Sequence, residues 1–246
     1  MINPIDSTTA APSGRGAKKG VAYDLMRGGA GTPWENRGEY GTAGGFIKSA
    51  MRSVFKPDLL FNHIRSTTVT TEANTFLWIC AACWGVATAL YKAVAFYRYD
   101  ASKYDIDTNT YVIISVIETA GAVAFAYAML RLIILIYHKL VITEIKQPVP
   151  VTLTFNIAAY AMGASVFAII PIVGPLLALA GCFVSLVAAG RKRLFVSWRG
   201  AVIDAMLAFV VAIVATILLF FIGGWALNYL LGAVNDHPAG PVLPAP

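Results

Sequence analysis

The chain has 246 residues, of which 58% are hydrophobic and 13% charged, and its mean hydropathy is +0.67. Soluble domains run at about 45–50% apolar, glycine included, and about 25% charged. These figures, together with several long uncharged runs, exclude a soluble globular domain and describe an integral membrane protein. The net charge of +6 does not point to nucleic acid, because nine of the 19 Lys and Arg precede residue 66 and most others flank apolar runs. Basic residues beside spans follow from the positive-inside rule alone.

Residues 1–45 are rich in Gly, Ser, Thr, Pro and Ala, as in "TTAAPSGRGAKKG". They hold no apolar stretch resembling a secretory signal and too little apolar surface to fold alone. An extended cytoplasmic arm is expected, with Trp34 in "TPWENRGEY" as its one large anchor, flanked by Glu35 and Arg37. Over residues 46–66, Phe46, Ile47, Ala50, Met51, Val54 and Phe55 recur at helical spacing, with Lys48, Arg52 and Lys56 opposite. That pattern predicts an amphipathic interfacial helix on an anionic leaflet, broken at Pro57. A helix docked on the protein's own spans fits the same pattern.

The fold class expected is all-α, with five transmembrane helices at about 76–97, 111–137, 152–170, 175–189 and 201–231. The third and fourth come from one apolar run. From Thr152 to Ala189 is 38 residues, about 57 Å as one helix against a hydrocarbon core of about 30 Å. "PIVGP" divides it: Pro171 and Pro175 cannot continue a helix, Gly174 can take positive φ, and Pro175 suits the first turn of a returning helix. With five spans the arm, 138–151 and 190–200 share one side and hold most of the basic residues outside the spans. The opposite side has Arg98, Lys103 and a Pro-rich tail, 232–246, free of Lys and Arg. The positive-inside rule then predicts a cytoplasmic N-terminus and an outside C-terminus.

Three ionisable residues fall inside the spans: Glu118 and Arg131 in the second and Asp204 in the fifth. Glu118 could bind a proton or cation, or be held by hydrogen bonds within the bundle, and the structural reading is the one favoured. Arg131 and Asp204 could pair with each other or snorkel to the interface. Small residues recur at four-residue spacing, as in Ala120, Ala124 and Ala128, or Gly181 and Ser185, and predict close helix packing. Cys80 and Cys83 form C-x-x-C within an apolar run, where packing is the expected role. His63, His138 and His237 are isolated from one another in the chain. No catalytic, cofactor or metal site is expected from these patterns, and the chain is not expected to be an enzyme.

"TPWENR", "FIKSAMRSVFKPDLLFNHI", "FNIAAYAMGASVFAIIPIVGPLLALAGCFVSLVAAG" and "RGAVIDAMLAFVV", in that order, resemble bacterial members of the Yip family. These are five-span membrane proteins whose eukaryotic relatives interact with Rab GTPases. The resemblance covers residues 32–225 and implies a cytoplasmic N-terminus, a Yip-like membrane domain over 76–231 and, for a bacterial member, the inner (cytoplasmic) membrane as its location; it does not imply catalysis. The function expected is a non-catalytic accessory or scaffold subunit of a larger membrane complex. Its partners would be other membrane subunits, reached through small-residue faces and through Trp34, Glu35 and Arg37, and an anionic cytoplasmic leaflet. Two alternatives are a small transporter or channel using Glu118, Arg131 and Asp204, and a membrane-organising protein acting through its amphipathic helix.

Overall fold

A computed structural model describes residues 29–65, 69–95, 108–146 and 149–235. Expectations for residues 1–28, the 96–107 loop and the end of the tail lie outside the described residues. The described chain is all-helical: α1 (Arg37–Tyr40), α2 (Thr42–Phe55), α3 (Pro57–His63), α4 (Thr71–Ala95), α5 (Thr108–Ile145) and α6 (Val151–Ala161) come first. A 3-10 segment (Met162–Ile169), α7 (Gly174–Arg193) and α8 (Trp198–Asn235) follow. Five stretches are long and apolar enough to cross a membrane: Thr71–Val94, Val112–Ile145, Val151–Ile169, Gly174–Arg193 and Trp198–Leu219, hereafter spans one to five.

The span count agrees with the reading from the sequence, while several ends move outward. Span one begins at Thr71, where the Asn74 N–H donates to the Thr70 carbonyl at 2.8 Å and Thr75 Oγ1 donates to the Thr71 carbonyl at 2.9 Å. Span two continues to Ile145, since Tyr137 and Val141 are buried core residues and not the start of a loop.

Span three is the centre of the bundle. In its most apolar stretch 78% of residues are buried, against 17% in span two. Spans one and two form an antiparallel pair whose register is read from four contacts. Arg131 Nη2 donates to Asn74 Oδ1 at 3.1 Å, and Trp78 stacks on Tyr127 with ring centroids 3.8 Å apart. Gly85 then lets Val123 approach closer than any Cβ would allow, and Lys92 meets Glu118 at 3.0 Å. Span five runs antiparallel to span two, with Thr216 Oγ1 2.8 Å from Met129 Sδ and Gly200 against the Glu144 carboxylate. Small residues make these approaches possible, as helix packing in lipid requires. Cys80 and Cys182 are buried and Cys83 is partly buried in the same core, all as free thiols.

The second half of span three is wound as a 3-10 helix of eight residues, longer than the three or four usual for that geometry. Residues three apart eclipse in such a helix, and Met162, Ser165 and Ala168 form its fully buried ridge. Ser165 Oγ donates to the Met162 carbonyl at 2.6 Å, a bond that matches the three-residue repeat. Gly163 lies beneath α2: a Cβ there would stand 2.9 Å from Ser53 Oγ and 3.0 Å from the Ala50 Cα.

The hairpin turn forms where the two prolines place it, and Pro175 occupies the first turn of α7. Its internal conformation corrects one expectation. Gly174 does not take positive φ; Ile172 does, at φ 67°. Gly174 serves close approach instead, because a Cβ would run into the Phe167 carbonyl oxygen. Ile172 is 87% exposed, so its side chain meets no neighbour that would forbid the left-handed backbone.

The amphipathic segment is two helices meeting at Lys56, and α2 divides the apolar face expected of it. Gly45, Phe46, Ser49, Ala50 and Ser53 are buried against the bundle, where Ser185 Oγ donates to the Ser53 carbonyl at 2.6 Å. Ile47 and Met51 point away from it and stay exposed, while Phe55, also exposed, meets Phe167 of span three edge-on with ring centroids 6.1 Å apart. The helix is therefore docked on its own spans along one side and free along the other. The short α3 returns along α7, with Asp58 paired to Lys192 at 3.3 Å and Leu60, Phe61 and Ile64 fully buried.

Candidate functional site: the N-terminal anchor and its cleft

The anchor begins with local sequence. In "TPWE" the backbone N–H of Glu35 donates to Thr32 Oγ1 at 3.2 Å, and the N–H of Thr32 donates to Glu35 Oε2 at 2.7 Å. This reciprocal pair is a capping box, with a proline between its members preset to a helical φ. The S/T-x-x-E spacing of Thr32 and Glu35 is the signal in the sequence that identifies the box.

The box presents Trp34 to the bundle. Its backbone N–H donates to Ser49 Oγ at 2.9 Å and its indole Nε1 to the Glu72 carbonyl at 2.9 Å. Its ring meets Phe46 and Phe76 edge-on, with centroids 6.2 and 6.0 Å away. Arg37 covers the outer face of the indole at 4.5 Å and pairs with Glu72 Oε1 at 3.2 Å. Trp34 is 1% exposed. Its ring was expected to face a partner subunit; it is enclosed by its own chain, clasping the arm to the start of span one.

Glu35 continues the clasp. Its Oε2 also accepts the Arg65 backbone N–H at 3.4 Å, while Arg65 Nη2 donates to Asn36 Oδ1 at 2.6 Å. Tyr160 of span three stands beside the carboxylate from below. Burial pushes the Glu35 carboxyl above its ordinary value, more strongly than the Thr32 and Arg65 N–H groups lower it. Between arm and bundle is a cleft of about 200 Å³ lined by Glu35, Arg65, Val69, Glu72, Ala73 and Asn156. Arg65 and Val69 are exposed at its mouth; Asn156, 2% exposed, forms its floor and donates from Nδ2 to the Val69 carbonyl at 3.2 Å.

The three intramembrane ionisable residues occupy three separate places. Glu118 pairs with Lys92 at the end of spans one and two far from the arm, both side chains about half exposed. Arg131 lies over the rings of Tyr127 and Phe155, at 5.5 and 4.9 Å, and binds Asn74. Asp204, 6% exposed, stands beside Glu144 of span two, which in turn accepts a hydrogen bond from Ser197 Oγ at 2.9 Å. The pairing of Arg131 with Asp204 considered from the sequence is thus replaced by two separate sets of neighbours. Among the described residues, no three His, Cys, Asp or Glu side chains gather as a metal site.

Comparison with protein-family models, with curated proteins and with solved structures returns no match for this chain.

Proposed function

We propose that this protein is a non-catalytic scaffold or accessory subunit of a membrane complex, with a Yip-like five-span domain and its arm on the cytoplasmic side. One observation carries the reading: the centre of the bundle is filled by the side chains of span three while the outer flanks of spans two and five stay apolar and open. Val210, Val211, Ile213 and Val214 of span five are each about half exposed. Those flanks, and not Trp34, are the faces on which partner subunits would pack. The separation of Glu118, Arg131 and Asp204 weakens the transporter alternative, because a pathway requires facing polar groups. A photo-crosslinking residue at Val210 or Val214, in cells, is expected to trap specific membrane-protein adducts. The buried position Ala208 serves as the control. Adducts to lipid alone at both flank positions would defeat the scaffold reading.

A second reading has its own support. The outer side of α2 combines Ile47 and Met51, with Phe55 at its edge against Phe167, and the cations Lys48, Arg52 and Lys56. An apolar ridge edged by cations suits insertion into an anionic leaflet, which is how a membrane-organising protein would act.

A further inference from the structure

We propose that the cleft between the N-terminal anchor and spans one and three seats a zwitterionic phosphoethanolamine head group, the ammonium between Glu35 and Glu72 and the phosphate at Arg65. Depth is the first argument. Glu72 and Ala73 belong to the first turn of span one and Asn156 to the second turn of span three. The cleft therefore sits where hydrocarbon gives way to head groups.

Charge is the second argument. Two carboxylates, Glu35 and Glu72, share this corner with two guanidinium groups, Arg65 and Arg37. An anionic head group would meet both carboxylates, and a simple cation both guanidiniums. A zwitterion satisfies the balance.

Arg37 engages Oε1 of Glu72, so Oε2 of that carboxylate is not taken up by the ion pair. Arg65 uses Nη2 on Asn36, and a guanidinium carries five N–H donors in all. A primary ammonium offers three N–H donors to these carboxylates, whereas a quaternary choline offers none. The space is the third argument. A cleft of about 200 Å³ is below the 300–1,000 Å³ typical of pockets for whole drug-sized molecules. It is of the scale of a head group whose acyl chains remain in the bilayer.

The test uses the full chain, purified in mild detergent and stripped of lipid. Phosphatidylethanolamine, phosphatidylcholine and phosphatidylglycerol of identical chains are added back, and retention is counted by native mass spectrometry. Ethanolamine lipid is expected to be retained about tenfold over choline lipid, the effect of one charge-assisted hydrogen bond. Glu72→Gln should bring the two close to equality, whereas Arg65→Gln should lower retention of both, because both lipids carry the phosphate. Equal retention by the folded wild-type protein would overturn the proposal, and that comparison needs no variant to fold.

Glycerophosphoethanolamine, the same head group without chains, separates the sources. A rise in melting temperature that Glu72→Gln abolishes assigns the site to the soluble form. No rise, with the lipid preference intact, assigns it to the bilayer lipid. Neither measurement depends on a partner subunit, so the scaffold reading and this site can fail separately.

Discussion

At Glu35 two effects oppose each other. Loss of water around the carboxyl favours its protonated form, and the N–H groups of Thr32 and Arg65 favour the charged form. Burial prevails, so the folded protein holds this proton more tightly than the unfolded chain. Stability from that proton is fully present below the unfolded value, near 4.5, and is lost as pH rises through the higher folded value. The melting temperature should accordingly carry a downward contribution from Glu35 as pH rises from the carboxyl's ordinary value through the higher folded one. Glu35→Gln should flatten that part of the profile, because an amide keeps an acceptor oxygen and does not titrate. Parallel pH profiles for the two proteins in the same detergent would show the account of Glu35 to be mistaken.

For the elements, the hairpin turn is the sharpest case. A β-branched residue in the left-handed region is disfavoured by about 1–2 kcal/mol, and Ile172 sits there with its side chain free. Ile172→Gly should raise stability by about 1 kcal/mol, less a few tenths for added freedom in the unfolded chain. Gly174→Ala should lower it, since the new methyl meets the Phe167 carbonyl. Thermal melting of both variants checks the pair, and the opposite order would show that the turn is built differently.

The same element shows what the sequence could reveal. Pro171 and Pro175 placed the turn, and run lengths placed the five spans, because lipid demands helices of a minimum length. The inside of the turn was not legible: a glycine permits positive φ without requiring it, and packing against Phe167 claimed Gly174 for another purpose. The partners of Arg131, Asp204 and Glu118 were hidden for a related reason. Which residues meet across two spans depends on rotation about each helix axis, and close contacts such as Gly85 with Val123 set that rotation. Hydropathy does not report it. The divided face of α2 has the same origin, since Phe46 and Ile47 are equally apolar and only docking separates them.

Across the whole molecule, residues 29–65, the end of the arm together with α1 to α3, belong to the fold and not to its surroundings. Trp34 joins α2, span one and the capping box in one contact set. Trp34→Ala should cost about 3–5 kcal/mol, the range for removing a fully buried large aromatic. It should also expose the α2 region to protease before the spans unfold. A melting temperature unchanged within a degree or two would mean that the clasp contributes little.

The 3-10 winding of span three bears on how the protein meets its bilayer. At about 2.0 Å per residue, Met162–Ile169 advances about 16 Å, where an α-helix of eight residues would advance about 12 Å. Nineteen residues thereby reach about 32 Å in place of about 28 Å. Rewinding that stretch as α-helix would draw Pro171–Val173 about 4 Å into the hydrocarbon, at a cost of a fraction of a kcal/mol for each ångström of hydrophobic mismatch. The central helix, which has the fewest residues of the five spans, is thus matched to membrane thickness by its pitch and not by its residue count.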